Sequence, residues 1–131
     1  HRSAESVLPS ICSLCEITRS AASDLVDKEA IGTHWHQRLL EVGRRSAKVR
    51  SASNAEQFLD VQYNDLVADP IGTVHRIYVH HGYEYSDPFE KRMKLWLAGN
   101  RQHKHGPHRY SIEEFGLEAE AVRRDFKGIE K

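Results

Sequence analysis

No apolar run in this chain approaches the length a membrane-crossing helix needs, and the opening residues do not read as a signal peptide. Neither sign of charge prevails. Nineteen Lys and Arg offset nineteen Asp and Glu, and the isoelectric point is near 7.3. The chain therefore has no general field to hold nucleic acid or an anionic membrane, so any anion site has to be local. Cysteine is scarce too. Cys12 and Cys15 form a lone C-x-x-C inside the apolar stretch 11–17. A metal or redox reading needs a second ligand pair or a strand–helix redox context, and the sequence offers neither. The pair reads instead as two small thiols a turn apart on a packed helix face, which favours a reducing, cytoplasmic compartment. A starting Met is also missing, as expected of a fragment or a processed chain.

What is present suffices for one modest core. The mean hydropathy is −0.65, polar for a globular domain, but 39% of the 131 residues are hydrophobic. Ser3 or its neighbour caps a helix to about Ser20, with Val7, Leu8, Ile11, Leu14, Cys15 and Ile17 on or near one face. Pro9 lies early enough in it to be tolerated. A second helix runs from about 28 to 48 on the stripe Ile31, Trp35, Leu39 and Val42, where Gly32 and Gly43 permit close packing or a break. Residues 58–63 alternate and are rich in β-formers, which predicts one strand. Asp69-Pro70 reads as an N-cap followed by proline at the first helical position, opening a helix that closes at Gly82. Asp87-Pro88 repeats the device for a helix over 89–98. Ser111-Ile112-Glu113-Glu114 reads as a capping box, and 117–129 as a final amphipathic helix. One strand makes no sheet by itself. With about five helices around it, the set reads as the back half of an open α/β fold.

Three segments carry chemistry. Arg2 is followed eight residues later by Ser10 across a helix start: a guanidinium fork, a hydroxyl and a helix N-terminus are a sensible grip for a phosphate. Tyr63-Asn64-Asp65-Leu66-Val67-Ala68-Asp69-Pro70 ends the strand, with Asp65 and Asp69 read as turn and cap residues rather than catalytic acids. Lys104-His105-Gly106-Pro107-His108-Arg109-Tyr110-Ser111 is a basic loop, where Gly106 allows close backbone approach to an anion and Lys104 adds a point charge.

In this order, and with Phe115-Gly116-Leu117 and Arg124-Asp125-Phe126 behind them, these segments resemble the C-terminal half of a sulfotransferase dependent on 3′-phosphoadenosine 5′-phosphosulfate, particularly of the bacterial branch. The resemblance spans nearly the whole chain. It implies that residues 1–131 are the C-terminal, mostly helical part of a single domain with a P-loop-like α/β fold and a parallel sheet. It also implies transfer of a sulfuryl group to a hydroxyl or amine of a small-molecule or glycan acceptor, without a metal and without nucleic-acid or membrane partners. Arg2 and Ser10 then match the residues that bind the donor's 3′-phosphate, and Lys104, His105 and Gly106 a loop that closes over it. Tyr63 matches a residue beside the nucleotide, although core packing would explain it equally well. The family's 5′-phosphosulfate loop and acceptor-activating His or Glu are expected ahead of His1, so no catalytic residue is expected in this chain, which alone should be inactive. Two departures stand out. Ser3-Ala4 replaces an acidic-Pro pair, which loosens the turn that aims Arg2, and Asn64 replaces a Glu.

Two rival readings compete. His34/His36, His80/His81 and His103/His105/His108 invite a metal site, but none shows the i, i+4 pair with an acid that a helical zinc site uses. A non-catalytic helical interaction module would instead present Trp35, Leu95 and Trp96 to a partner. Burial of those faces discriminates the two.

Overall fold

Side-chain caps set where some of the elements begin. In the computed structural model, which describes residues 1–100 and 111–129, the helices are α1 (Ala4–Ser20), α2 (Lys28–Ala52), α3 (Tyr63–Ala68), α4 (Pro70–His80), α5 (Asp87–Gly99) and α6 (Ala119–Phe126). Short 3₁₀ turns lie at Ala55–Gln57 and Glu113–Phe115. The Asp27 carboxylate accepts from the Ala30 N–H at 2.9 Å and opens α2. Asp69 does the same for the Gly72 N–H at 2.8 Å, with Pro70 next in line, and α4 gives way to Gly82 at φ 67°. Other starts differ from expectation. Asp87 lies inside the first turn of α5 rather than capping it, and Ser86 takes the cap position without a side-chain bond. The Ser111 hydroxyl donates to the Glu113 carboxylate at 2.5 Å, holding that carboxyl below its ordinary range. That bond consumes the expected capping box in a 3₁₀ turn. The last helix consequently starts at Ala119 and ends at Phe126.

The expected strand needs correction. Among the described residues there is no β-strand, although 58–62 is extended, with Phe58 at φ −120°, ψ 134° and Gln62 at φ −78°, ψ 138°. The Val61 carbonyl accepts from the His1 amino group, and the Tyr63 N–H donates to the His1 carbonyl at 2.8 Å. One residue bonded to both neighbours of its opposite number is parallel pairing, here confined to a single position. A ladder needs a longer partner. Tyr63 to Ala68, read from sequence as strand end and turn, is the sixth helix, α3. The chain is thus mostly helical, with six α-helices among the described residues in place of one strand and five.

Contacts divide the chain into two compact units. One holds Arg2–Ser53 and 111–129, hence α1, α2, α6 and the Glu113–Phe115 turn. Ala4, Leu8, Ile112, Val122 and Phe126 form one buried cluster; Cys12, Ile31 and Phe115 form another, and Trp35 packs against both. Leu8 and Cys12 are one turn apart on α1, as its apolar face predicts. Gly32 and Gly43 allow close packing as expected. A Cβ at Gly32 would collide with the Phe115 carbonyl oxygen, and one at Gly43 with the Ile129 side chain. Both thiols are free; Cys12 is buried and Cys15 half-buried.

The second unit holds His1 and 54–100, hence α3, α4 and α5. Its apolar centre is a ring cluster on α4, α5 and the intervening turn. Tyr78 stacks on Phe89 at 5.1 Å, and Tyr85 meets Phe89, Tyr78 and His75 edge-on at 5.7, 5.6 and 4.7 Å. Thr73 is its one fully buried residue among those described, and its hydroxyl donates to the Asp65 carbonyl at 3.4 Å.

Candidate anion site on the first helix

Helix α1 orients the best-supported candidates. Ser3 is its N-cap residue, extended at φ −61°, ψ 143°, and Arg2 immediately precedes it. The Ser3 hydroxyl does not cap an N–H but pairs with the Ser6 hydroxyl at 2.9 Å. Ser3, Ser6 and Ser10 recur at i, i+3 and i+7, so they share one side of the helix. Ser10 lies about 200° around the axis from Leu8 and from Cys12, two fully buried residues of the helix. Its hydroxyl is therefore presented outward, half-buried rather than packed away. The helix end and Ser10 act separately, because Ser10 lies six residues past Ala4, about 9 Å along the axis. For Arg2 and Ser10 to share one anion, the long Arg2 side chain, not the first-turn N–H groups, would have to span that distance.

An ion pair borders this end of α1. Glu5, the acidic residue of the first turn, accepts from the Arg123 Nε of α6. That bond raises Arg123 above the ordinary arginine range, and the Glu5 charge adds to it.

Tyr63 belongs to the other unit, where it starts α3 and keeps 38% of its surface exposed. Asp65 lies inside α3 instead of a turn, and its carboxylate stands 3.9 Å from the Arg76 guanidinium. Asp69 is the cap residue expected. Lys104, His105 and Gly106 lie outside the described residues, as do His103 and His108. Among the described residues, no three His, Cys, Asp or Glu side chains gather as a metal site, and no helix is long and apolar enough to cross a membrane. The proposed docking faces behave unequally. Trp35 is half-buried between the two core clusters, whereas Leu95 and Trp96 are 74% and 64% exposed. Trp96 also edges an apolar groove between α4 and α5, lined by Pro70, Ile71, Val74, Met93 and Leu97. Sequence reasoning missed α3 and the Glu5–Arg123 pair.

The sequence profile of the sulfotransferase family matches residues 1–87, well over half of the chain, and the chain belongs to that family. Its fold is similar to the crystal structure of sulfotransferase STF9 from Mycobacterium avium, with a TM-score of 0.86 and 26% identity. The match covers 97% of this chain and 33% of that protein, so the chain spans about a third of its relative's length. No curated protein matches the chain.

Proposed function

We propose that this chain is the C-terminal part of a single sulfotransferase domain and holds the far end of the donor 3′-phosphoadenosine 5′-phosphosulfate. In this reading Arg2 and Ser10 bind the 3′-phosphate, Tyr63 borders the nucleotide, and the Lys104-His105-Gly106 segment closes over the phosphate. The whole enzyme moves the sulfuryl group to a hydroxyl or amine of a small-molecule or glycan acceptor in the cytoplasm. The observation that carries the reading is the placement of Ser10 on the outward side of α1, with Arg2 at the mouth of the same helix and Leu8 and Cys12 anchoring the opposite side.

Sulfuryl transfer needs an in-line nucleophile and a donor held still while charge shifts onto the leaving phosphate. Arg2 and Ser10 serve the second need. A guanidinium fork and a hydroxyl fix the remote phosphate, and that binding energy orients the reacting end. They touch no reacting atom, so their loss should appear mainly as weaker donor binding.

In the full-length protein, Arg2→Ala should weaken binding of adenosine 3′,5′-bisphosphate by about tenfold or more, the scale of one lost charge-assisted contact. Binding of 5′-AMP should be nearly unchanged. Equal loss for both nucleotides in calorimetry overturns the 3′-phosphate assignment. A second reading, a helical interaction module, draws support from the exposed Leu95 and Trp96 beside the α4–α5 groove. It leaves the Arg2–Ser10 arrangement and the family match without a role.

A further inference from the structure

We infer that His1 is a positioning residue for the anion site: its side chain, paired with Asp60, sets the register in which the chain enters Arg2. This role rests on the 3′-phosphate reading of Arg2. The His1 Nε2 donates to the Asp60 carboxylate, which as an ionised acid can only accept. The backbone already places the two side chains together. His1 bonds to Val61 and to Tyr63, so it stands opposite Gln62. Asp60, two residues before Gln62 in an extended segment, shares the face of Gln62 and of His1 opposite it.

A pairing one position long specifies its own register weakly, because no further ladder bonds oppose a slip. The side-chain pair supplies that opposition. Shifting His1 by one residue turns its ring to the other face, away from Asp60, and moves the chain by about 3.3 Å. Arg2 is bonded directly to His1 and moves with it, and a binding residue tolerates far less. On the other side of Arg2, the Ser3 carbonyl accepts from the Ser6 and Val7 N–H groups at 3.0 and 3.1 Å. Arg2 thus sits between two hydrogen-bonded neighbours, whatever its own side chain touches. The His1 and Asp60 side chains are 34% and 45% exposed, so their pairing contributes little to overall stability. Its effect lies in where the chain is held.

Calorimetry on the full-length protein tests this with adenosine 3′,5′-bisphosphate, and with 5′-AMP as control. His1→Ala should weaken the bisphosphate about threefold, the scale of one partly exposed charged pair, and leave 5′-AMP unchanged. His1→Gln, whose side-chain amide N–H replaces the Nε2 donor, should bind the bisphosphate as the wild type does. Asp60→Ala should cost less in the His1→Ala background than in the wild type, the mark of two groups acting as a pair. Equal weakening of both nucleotides by His1→Ala overturns the inference, since a merely structural loss spares neither. So does His1→Gln binding as weakly as His1→Ala, or an Asp60→Ala cost that is the same in both backgrounds. An unchanged His1→Ala alongside a weakened Arg2→Ala overturns it too. If Arg2→Ala itself leaves the bisphosphate unaffected, the 3′-phosphate reading is what fails.

Discussion

The two units reach compactness by different means. In the unit formed by Arg2–Ser53 and 111–129, eight hydrophobic residues are buried, and they come from both ends of the sequence. In the unit of 54–100, the fully buried residue is a threonine, and the apolar contacts run between rings on neighbouring elements. The first is cemented by burial at long sequence separation, and the second by partly exposed aromatic edges. Burial scales with area removed from water, whereas ring pairs add only about 0.5–1.5 kcal/mol each. Helix α1, which carries Ser10 next to Arg2, belongs to the more deeply packed of the two. If Arg2 and Ser10 bind the phosphate as proposed, they need that support to hold position within a fraction of an ångström.

The sharpest way to break the comparison is to remove one ring from each unit. Phe115→Ala, in the buried cluster under Gly32, should cost about 3–5 kcal/mol, while Phe89→Ala should cost roughly half that, because its ring is only half-buried. Urea titrations of single-tryptophan variants read each unit alone, with Trp35 reporting the first and Trp96 the second. Equal losses would erase the distinction.

Cys12 offers a pH probe of the better-packed unit. Burial first, and the neighbouring Cys15 second, push its thiol from 9.0 up to about 11. Unfolding lets it ionise near 9, so the folded form is favoured below that pH and the advantage disappears as pH rises from 9 to 11. The loss should be about 2–3 kcal/mol across that window, measured as the difference between the wild type and Cys12→Ala. A difference that does not vary with pH would mean that water reaches the thiol. The smallest effect lies in the second unit, where Asp69→Ala removes the α4 cap and should cost about 1 kcal/mol in the Trp96 titration.

Much of this was legible because caps are local. Asp69, Pro70 and Gly82 announce the ends of α4 within a few residues, and the side-chain bond of Asp69 forms as its sequence position implies. The strand over 58–63 was half-right. Its backbone is extended, but a strand is a relation between two segments, and the backbone bonds it makes to His1 do not extend into a ladder. Helix α3 escaped notice because Asn64 and Asp65 favour turns and Asp69-Pro70 leaves room for only six residues before the next helix. Arg2 and Ser10 are bound by a spacing that a sequence displays. Glu5 and Arg123 are not, since their meeting depends on how α6 lies on α1.

Gly32 and Gly43 are eleven residues apart on α2, three turns or about 16 Å along one side. Phe115 fills the first notch and Ile129 the second. Helix α2 thereby works as a ruler for the C-terminal segment, fixing at two points how many residues fit between them. An insertion or deletion between 115 and 129 would leave one notch empty or force a side chain against backbone. That stretch should accordingly tolerate substitutions far better than changes of length, an asymmetry that surface loops do not share.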